Sequence, residues 1–374
     1  MPKRIRDLLM SDETLFKNER VFDRDYIPEI FNFRDGQLQE LALCLKPGLA
    51  GGRPLNAYLI GPPATGKTTA VKRMFDEIHD LTDKVICVYI NCQIHQAKFA
   101  IFSQIHKGVI GHAPPETGVP FTKVYETTFK KLAGRGISLV VALDDINYLF
   151  QNGRANEIIY DILRAHEVYQ GARTSVLGVL SDIGQKYKLD PKVASIFKPR
   201  EIFFPPYTKA EMIEILRERA RLGFFPGVID DVVLEKIASY AYEHADLRVG
   251  IEILRVSALI AESEASKKIA EAHAVKAYSQ SRDLNLKSTL DSLTSGELEI
   301  IKAIVGSGKM DSGELYEAVK KKGFNSYSTF YRALDRLETL RLVDTQPAIK
   351  GKKGRTRIVS LHYNKQDVFR AIGK

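Results

Sequence analysis

Eight consecutive residues, Gly61-Pro62-Pro63-Ala64-Thr65-Gly66-Lys67-Thr68, match the phosphate-loop pattern GxxxxGK[ST]. Glycines at these places let backbone N–H groups face a phosphate, and a helix starting at the lysine adds the positive end of its dipole. In such a loop the lysine neutralises the β- and γ-phosphate oxygens and the Thr hydroxyl ligates Mg²⁺. The expected nucleotide-contacting set is Gly61, Ala64, Thr65, Gly66, Lys67, Thr68 and Thr69, with ATP or ADP as cofactor. A second segment, residues 139–145 (LVVALDD), ends an apolar run in two acids. It would set Asp144 beside the loop, where it can hold the Mg²⁺ through water. Asp145 follows at the position expected to polarise the attacking water. Its carboxylate is one methylene shorter than glutamate, and a displacement of that order costs about a hundredfold in a positioned reaction. Slow hydrolysis, used as a switch, is therefore expected; the alternative is that Asp145 simply caps the strand.

A different chemistry is written near the C-terminus. On a helix over residues 326–340, Tyr327, Phe330, Leu334 and Leu337 share one face, while Ser328, Thr329, Arg332 and Arg336 share the other. The first face would pack into its own domain and leave hydroxyls and arginines free to enter a major groove. Residues 350–357 (KGKKGRTR) form a glycine-flexed basic tip, with Lys350, Lys352, Lys353, Arg355 and Arg357 suited to phosphate contact or minor-groove insertion. From residue 288 onward there are 16 Lys/Arg against 10 Asp/Glu, so much of the net charge of +9 sits in the last quarter of the chain. Double-stranded DNA is the expected partner. Residues 97–110 give a further amphipathic helix bearing Lys98 and Lys107, either a second DNA contact or a helix packed on its own core.

These groups need a scaffold. Residues 56–61, 84–91, 137–143, 174–180 and 201–204 read as strands, with helices between them at 67–79 and 157–169. Alternation of this kind implies an α/β parallel sheet covered on both faces. After Pro205-Pro206 the reading is helical only, at 209–221, 231–242 and 247–264, the last carrying Val249, Ile253, Val256 and Ile260 at helical spacing. A polar stretch at 279–288 reads as a linker. Helices at 297–305, 312–321 and 326–340, then strands at 343–347 and 356–362, follow the order of a winged helix-turn-helix. The expected domains are 1–206 for the nucleotide-binding base, 207–285 for a helical lid and 286–374 for the DNA-binding unit.

The bulk composition narrows the class. The chain has 374 residues, 44% hydrophobic and 27% charged, which is ordinary for a soluble globular protein. Its longest strongly apolar run, at 137–143, is far shorter than the roughly 20 residues of a membrane span. The opening residues carry no signal-peptide pattern. A soluble cytoplasmic protein associated with the chromosome is expected, with no membrane partner. Cys44, Cys87 and Cys92 form no CxxC pair and read as buried thiols of a reducing compartment.

Taken in order, the motifs resemble the archaeal initiators of DNA replication related to the origin recognition complex and its cell-division-control partner, which are AAA+ ATPases. The resemblance runs through Phe16-Lys17-Asn18, Val21-Phe22, Tyr26-Ile27-Pro28 and Arg34, the phosphate loop, and Leu143-Asp144-Asp145-Ile146-Asn147. It continues through Phe204-Pro205-Pro206-Tyr207 and Ala245-Asp246-Leu247-Arg248 to the winged helix. It implies that Tyr207 and Arg219 contact nucleotide, that Arg248 reaches the γ-phosphate from the lid, and that the helix at 97–110 touches DNA. It also implies origin DNA, the replicative helicase and paralogous initiators as partners. Ser181 stands where relatives usually place an asparagine sensor, and its shorter reach adds to the expectation of slow turnover. An ATP-responsive transcription regulator or nucleoid protein would share all these motifs and is the alternative reading.

Overall fold

Five apolar segments assemble into one parallel sheet in the computed structural model, which describes residues 14–115, 117–181, 189–291, 293–324, 326–340, 342–347 and 356–372. The chain divides into two compact units between Ala270 and Glu271.

The first unit opens with α1 (Asp35–Leu49), β1 (Ala57–Ile60), α2 (Lys67–Leu81), β2 (Val85–Asn91), α3 (Lys98–Ile110) and α4 (Phe121–Arg135). It continues with β3 (Ser138–Asp144), α5 (Asn147–Gln151), α6 (Ala155–Val168), β4 (Arg173–Leu180), α7 (Pro191–Ile196) and β5 (Arg200–Phe203). All pairings are parallel, in the order β2-β3-β4-β1-β5. Every residue of β3 is buried. Leu139, Val141 and Leu143 face one apolar layer and Val140 and Ala142 the other, which is why this strand reads as a continuous hydrophobic run. In register, Asn91 lies opposite Asp144 and Ile60 opposite Leu180. The phosphate loop, the paired acids and Ser181 therefore emerge at one end of the sheet.

Three helices follow: α8 (Lys209–Gly223), α9 (Asp231–Glu243) and α10 (Leu247–Ser263). Thr208 and Glu211 form a capping box that starts α8. On α10 the buried face is Gly250, Ile253, Leu254, Ser257, Ala258 and Ala261. Of the four residues expected to pack, only Ile253 is fully buried. Small side chains set this face, since a Cβ at Gly250 would lie 2.8 Å from Leu216 Cδ1 and 3.0 Å from Ala241 Cβ.

The lead-in joins these helices although it precedes the base in sequence. Lys17 and Asn18 N–H groups both donate to Gly223 O, at 2.8 and 3.0 Å, and Phe16 bridges to Phe224. Phe22 packs on Phe224 with ring centroids 4.7 Å apart, and Arg255 pairs with Glu19 at 2.9 Å.

The second unit comprises α11 (Glu271–Asp291), α12 (Ser295–Ser307), β6 (Met310–Asp311), α13 (Ser312–Val319), α14 (Tyr327–Thr339), β7 (Val343–Pro347), β8 (Arg357–Leu361) and α15 (Lys365–Ile372). Its antiparallel sheet has the order β6-β8-β7, as a winged helix requires. The expected linker at 279–288 lies inside α11, because Leu286 and Leu290 are buried in the same core as Ile300 and Phe330. On α14, Phe330, Leu334 and Leu337 are fully buried as expected, but Tyr327 is 46% exposed. Its ring rests edge-on against Tyr316, centroids 4.9 Å apart, at the rim of the core.

Among the described residues no helix is long and apolar enough to cross a membrane. Cys44 and Cys92 are buried thiols, whereas Cys87 is half-buried on β2.

Candidate nucleotide site and nucleic-acid interface

The phosphate loop leaves β1 through a space only glycine fits: a Cβ at Gly61 would stand 2.2 Å from Phe204 O. Gly66 has φ +91°, and a Cβ there would meet Phe31 Cζ at 2.7 Å and the Tyr207 hydroxyl at 2.9 Å. Both aromatic rings thus press on the turn that starts α2. Lys67 Nζ donates to Gly61 O at 2.8 Å and Pro62 O at 2.6 Å. The residue is only 4% exposed. Burial lowers its ammonium to about 8, with Asp144 and Asp145 opposing the shift.

The two adjacent acids are held by different partners. Asp144 Oδ2 accepts from Thr68 Oγ1 at 2.8 Å and from the Tyr89 hydroxyl at 2.6 Å, while Oδ1 accepts the Asp145 N–H at 3.1 Å. Tyr89 escaped the sequence reading because in β2 it is one apolar residue among several. Asp145 adopts φ 52°, a left-handed conformation disfavoured for a non-glycine residue. Its Oδ1 accepts from Ser181 Oγ at 3.1 Å. Burial first, and then the Asp144 charge, raises the Asp145 pKa above the ordinary carboxylate value. Thr68 and Asp144 offer a hydroxyl and a carboxylate oxygen side by side, hard donors that fit Mg²⁺. Among the described residues no group of three His, Cys, Asp or Glu is placed to hold a metal.

A cavity of about 750 Å³ is lined by the loop from Ala64 to Thr69, by Asp145 and Ser181, and by Tyr207, Arg219 and Arg248. Tyr207 is held by Arg34, whose guanidinium lies 3.8 Å from the ring centroid. Arg34 is 2% exposed and donates to Thr65 O (3.0 Å), Phe33 O (2.8 Å) and Pro205 O (2.7 Å). One side chain thereby ties the phosphate loop to the turn after β5. Arg219 lines the cavity but donates to Val21 O at 2.8 Å and packs over Tyr26, 4.5 Å from its centroid. Its visible work is fastening the lead-in. Arg248, two residues past the end of the α9–α10 turn, is paired with Asp246 at 2.6 Å.

The cationic candidates sort into two groups. Lys98 is paired with Glu157 at 2.6 Å and Asp161 at 2.5 Å, and lies over Phe121. Arg336, expected to face outward, donates to both oxygens of Glu297 at 3.0 and 3.1 Å. Arg357 bonds Asp335 at 2.6 Å and lies 5.5 Å from the Tyr331 centroid. These three are tied within their own units. Lys107 and Arg332 are exposed. Ser328 and Thr329 are exposed too, their hydroxyls 2.9 Å from Ser326 Oγ, which caps α14. Lys350, Lys352, Lys353 and Arg355 lie outside the described residues.

Sheet order, phosphate loop, acid pair and helical lid together define a AAA+ P-loop protein carrying a C-terminal winged-helix unit. A family model described as AAA ATPase domain matches residues 31–155, and one described as Cdc6 AAA+ ATPase-type lid domain matches residues 213–279. The chain is 48% identical to ORC1-type DNA replication protein 2 of Methanothermobacter thermautotrophicus, over 99% of this chain and 98% of that protein. It is 42% identical to the protein of the same name from Methanosarcina acetivorans, over 98% and 99% of the two chains. The solved structure of the Aeropyrum pernix ORC1 protein in complex with DNA is 27% identical with a TM-score of 0.74, covering 97% of each chain. The chain belongs to the family of ORC1-type DNA replication proteins.

Proposed function

We propose that this protein binds duplex DNA at replication origins under the control of bound ATP or ADP, and helps recruit or load the replicative helicase. The observation that supports this most is end-to-end similarity to ORC1-type DNA replication proteins, in a chain whose Lys67, Thr68, Asp145, Ser181 and Arg248 all line one cavity. The loop amides and Lys67 hold the β-phosphate, Lys67 exchanging the carbonyls of Gly61 and Pro62 for phosphate oxygens. Thr68 and Asp144 hold Mg²⁺, which neutralises phosphate charge when bound. Arg248 reaches the γ-phosphate from the lid. Asp145, short and tied to Ser181, turns ATP over slowly, so the nucleotide acts as a switch. In the second unit Ser328, Thr329 and Arg332 on α14 enter the major groove, and the basic tip at 350–357 adds phosphate contacts. Lys107 on α3 offers a contact from the first unit.

Fluorescence anisotropy tests this reading, with duplexes from the host's replication origins against a scrambled duplex, across salt, with ATP and with ADP. A preference for origin DNA of about a thousandfold is expected. Equal binding with only a steep salt slope would point to a regulator or nucleoid protein instead. Co-purification of the replicative helicase with the ATP-bound protein tests the recruitment step.

A further inference from the structure

Arg248 is not a free cation waiting in the cavity. Its Nε donates to Asp246 Oδ1 at 3.0 Å and Oδ2 at 3.2 Å, and its terminal nitrogen donates to Oδ2 at 2.6 Å. Asp246 also caps α10, its Oδ1 accepting the Arg248 backbone N–H at 2.9 Å. Arg248 also lines the same cavity as Lys67 and Asp145. Each paired edge of a guanidinium serves one bidentate anion at a time, and Asp246 takes the edge formed by Nε and one terminal nitrogen. A phosphate that takes this same edge must therefore displace the Asp246 carboxylate.

We propose that Asp246 is a specificity-determining residue, an internal competitor for Arg248 that sets how strongly the site prefers ATP to ADP. This rests on the reading of Arg248 as the γ-phosphate contact. The α- and β-phosphates meet the loop in either nucleotide, so their binding leaves the Arg248–Asp246 pair intact. Only the terminal phosphate of ATP breaks it. The cost of separation is subtracted from ATP affinity alone, and the preference is smaller than Arg248 would provide unopposed. The exchange also couples γ-phosphate arrival to α10, since the released carboxylate and the recruited arginine sit in the same turn.

The test is nucleotide affinity of the full chain, measured calorimetrically with Mg²⁺ in D246N, R248Q and the double variant. Asparagine keeps the oxygen that caps α10 and removes the charge. D246N is expected to tighten ATP by about fivefold, the size of an exposed ion pair, with ADP unchanged. The gain is expected to vanish in the R248Q background. Asp246→Ser, another good cap without charge, should reproduce it if D246N folds poorly. Equal tightening of ATP and ADP, or a gain that persists with R248Q, would show a general charge effect and overturn the competitor role. If R248Q weakens ATP while D246N changes nothing, the site reading stands and the competition falls alone. If R248Q leaves ATP affinity unchanged, Arg248 is no phosphate contact and both fall.

Discussion

The Ser181 hydroxyl donates to the Asp145 carboxylate across 3.1 Å, joining the ends of two neighbouring parallel strands. Each is the shorter version of the side chain expected at its position, and each has found the other. On the proposed slow-switch reading, this restraint, with a carboxylate one methylene short of the reach of glutamate, is what holds hydrolysis back.

Lengthening both partners should therefore restore turnover. Asp145→Glu combined with Ser181→Asn is expected to raise the rate of ATP hydrolysis by about tenfold to a hundredfold, measured as phosphate release. An unchanged rate would mean that another step, such as product release, limits the cycle.

Lys67 makes nucleotide binding sensitive to alkaline pH. Burial lowers its ammonium from the ordinary 10.5 to about 8, so the nucleotide-free site loses this charge as pH rises through that value. Phosphate selects the protonated form, and ATP affinity is expected to be full at pH 7 and about tenfold weaker at pH 9. Calorimetry in two buffers of different ionisation enthalpy should show proton uptake on binding at the higher pH. For folding the sign is opposite. Between about 8 and 10.5 the unfolded chain binds the extra proton, so the contribution of this lysine to stability rises with pH across that window.

Arg336 and Arg332 share α14 but should behave differently. Glu297 is 4% exposed and pairs with Arg336; Arg336→Ala leaves that acid without its cation. Because the arginine itself is about half exposed, water softens the loss to about 1–2 kcal/mol. A lower melting temperature of the second unit is expected, with DNA affinity changed only in step with folding. Arg332→Ala should do the reverse, weakening duplex binding and flattening its salt dependence at unchanged melting temperature.

Arg34 is the mechanical tie at the base of the site. Arg34→Ala strands three carbonyls that now accept from one guanidinium, and removes the cation stacked on Tyr207. A loss of about 2–4 kcal/mol in the first unit is expected. Arg34→Lys should recover little of it, since an ammonium has no planar fork to span the three acceptors. Thermal melts of the two variants would decide whether charge or fork geometry does the holding.

The geometry of the phosphate loop was legible because it is local. Gly61 to Thr68 carry their loop, their lysine and their hydroxyl in one contiguous stretch, and a strand ending in Asp144 has few ways to sit beside them. Apolar runs and helical spacing likewise announced the parallel sheet, the lid helices and the core face of α14, because burial periodicity is a property of neighbouring residues. What tertiary structure decided is which charges are free. A helical wheel assigns Lys98 and Arg336 an outward direction, yet Asp161 and Glu297 wait for them from other helices. Nothing local could show Tyr89 and Thr68 meeting on one oxygen of Asp144, or residues 14–23 bonding to the lid instead of the base they precede. Ion pairing and hydrogen bonding depend on separations of a few ångströms between groups far apart in the chain. Composition and spacing say which groups exist, and only the folded path says which of them meet.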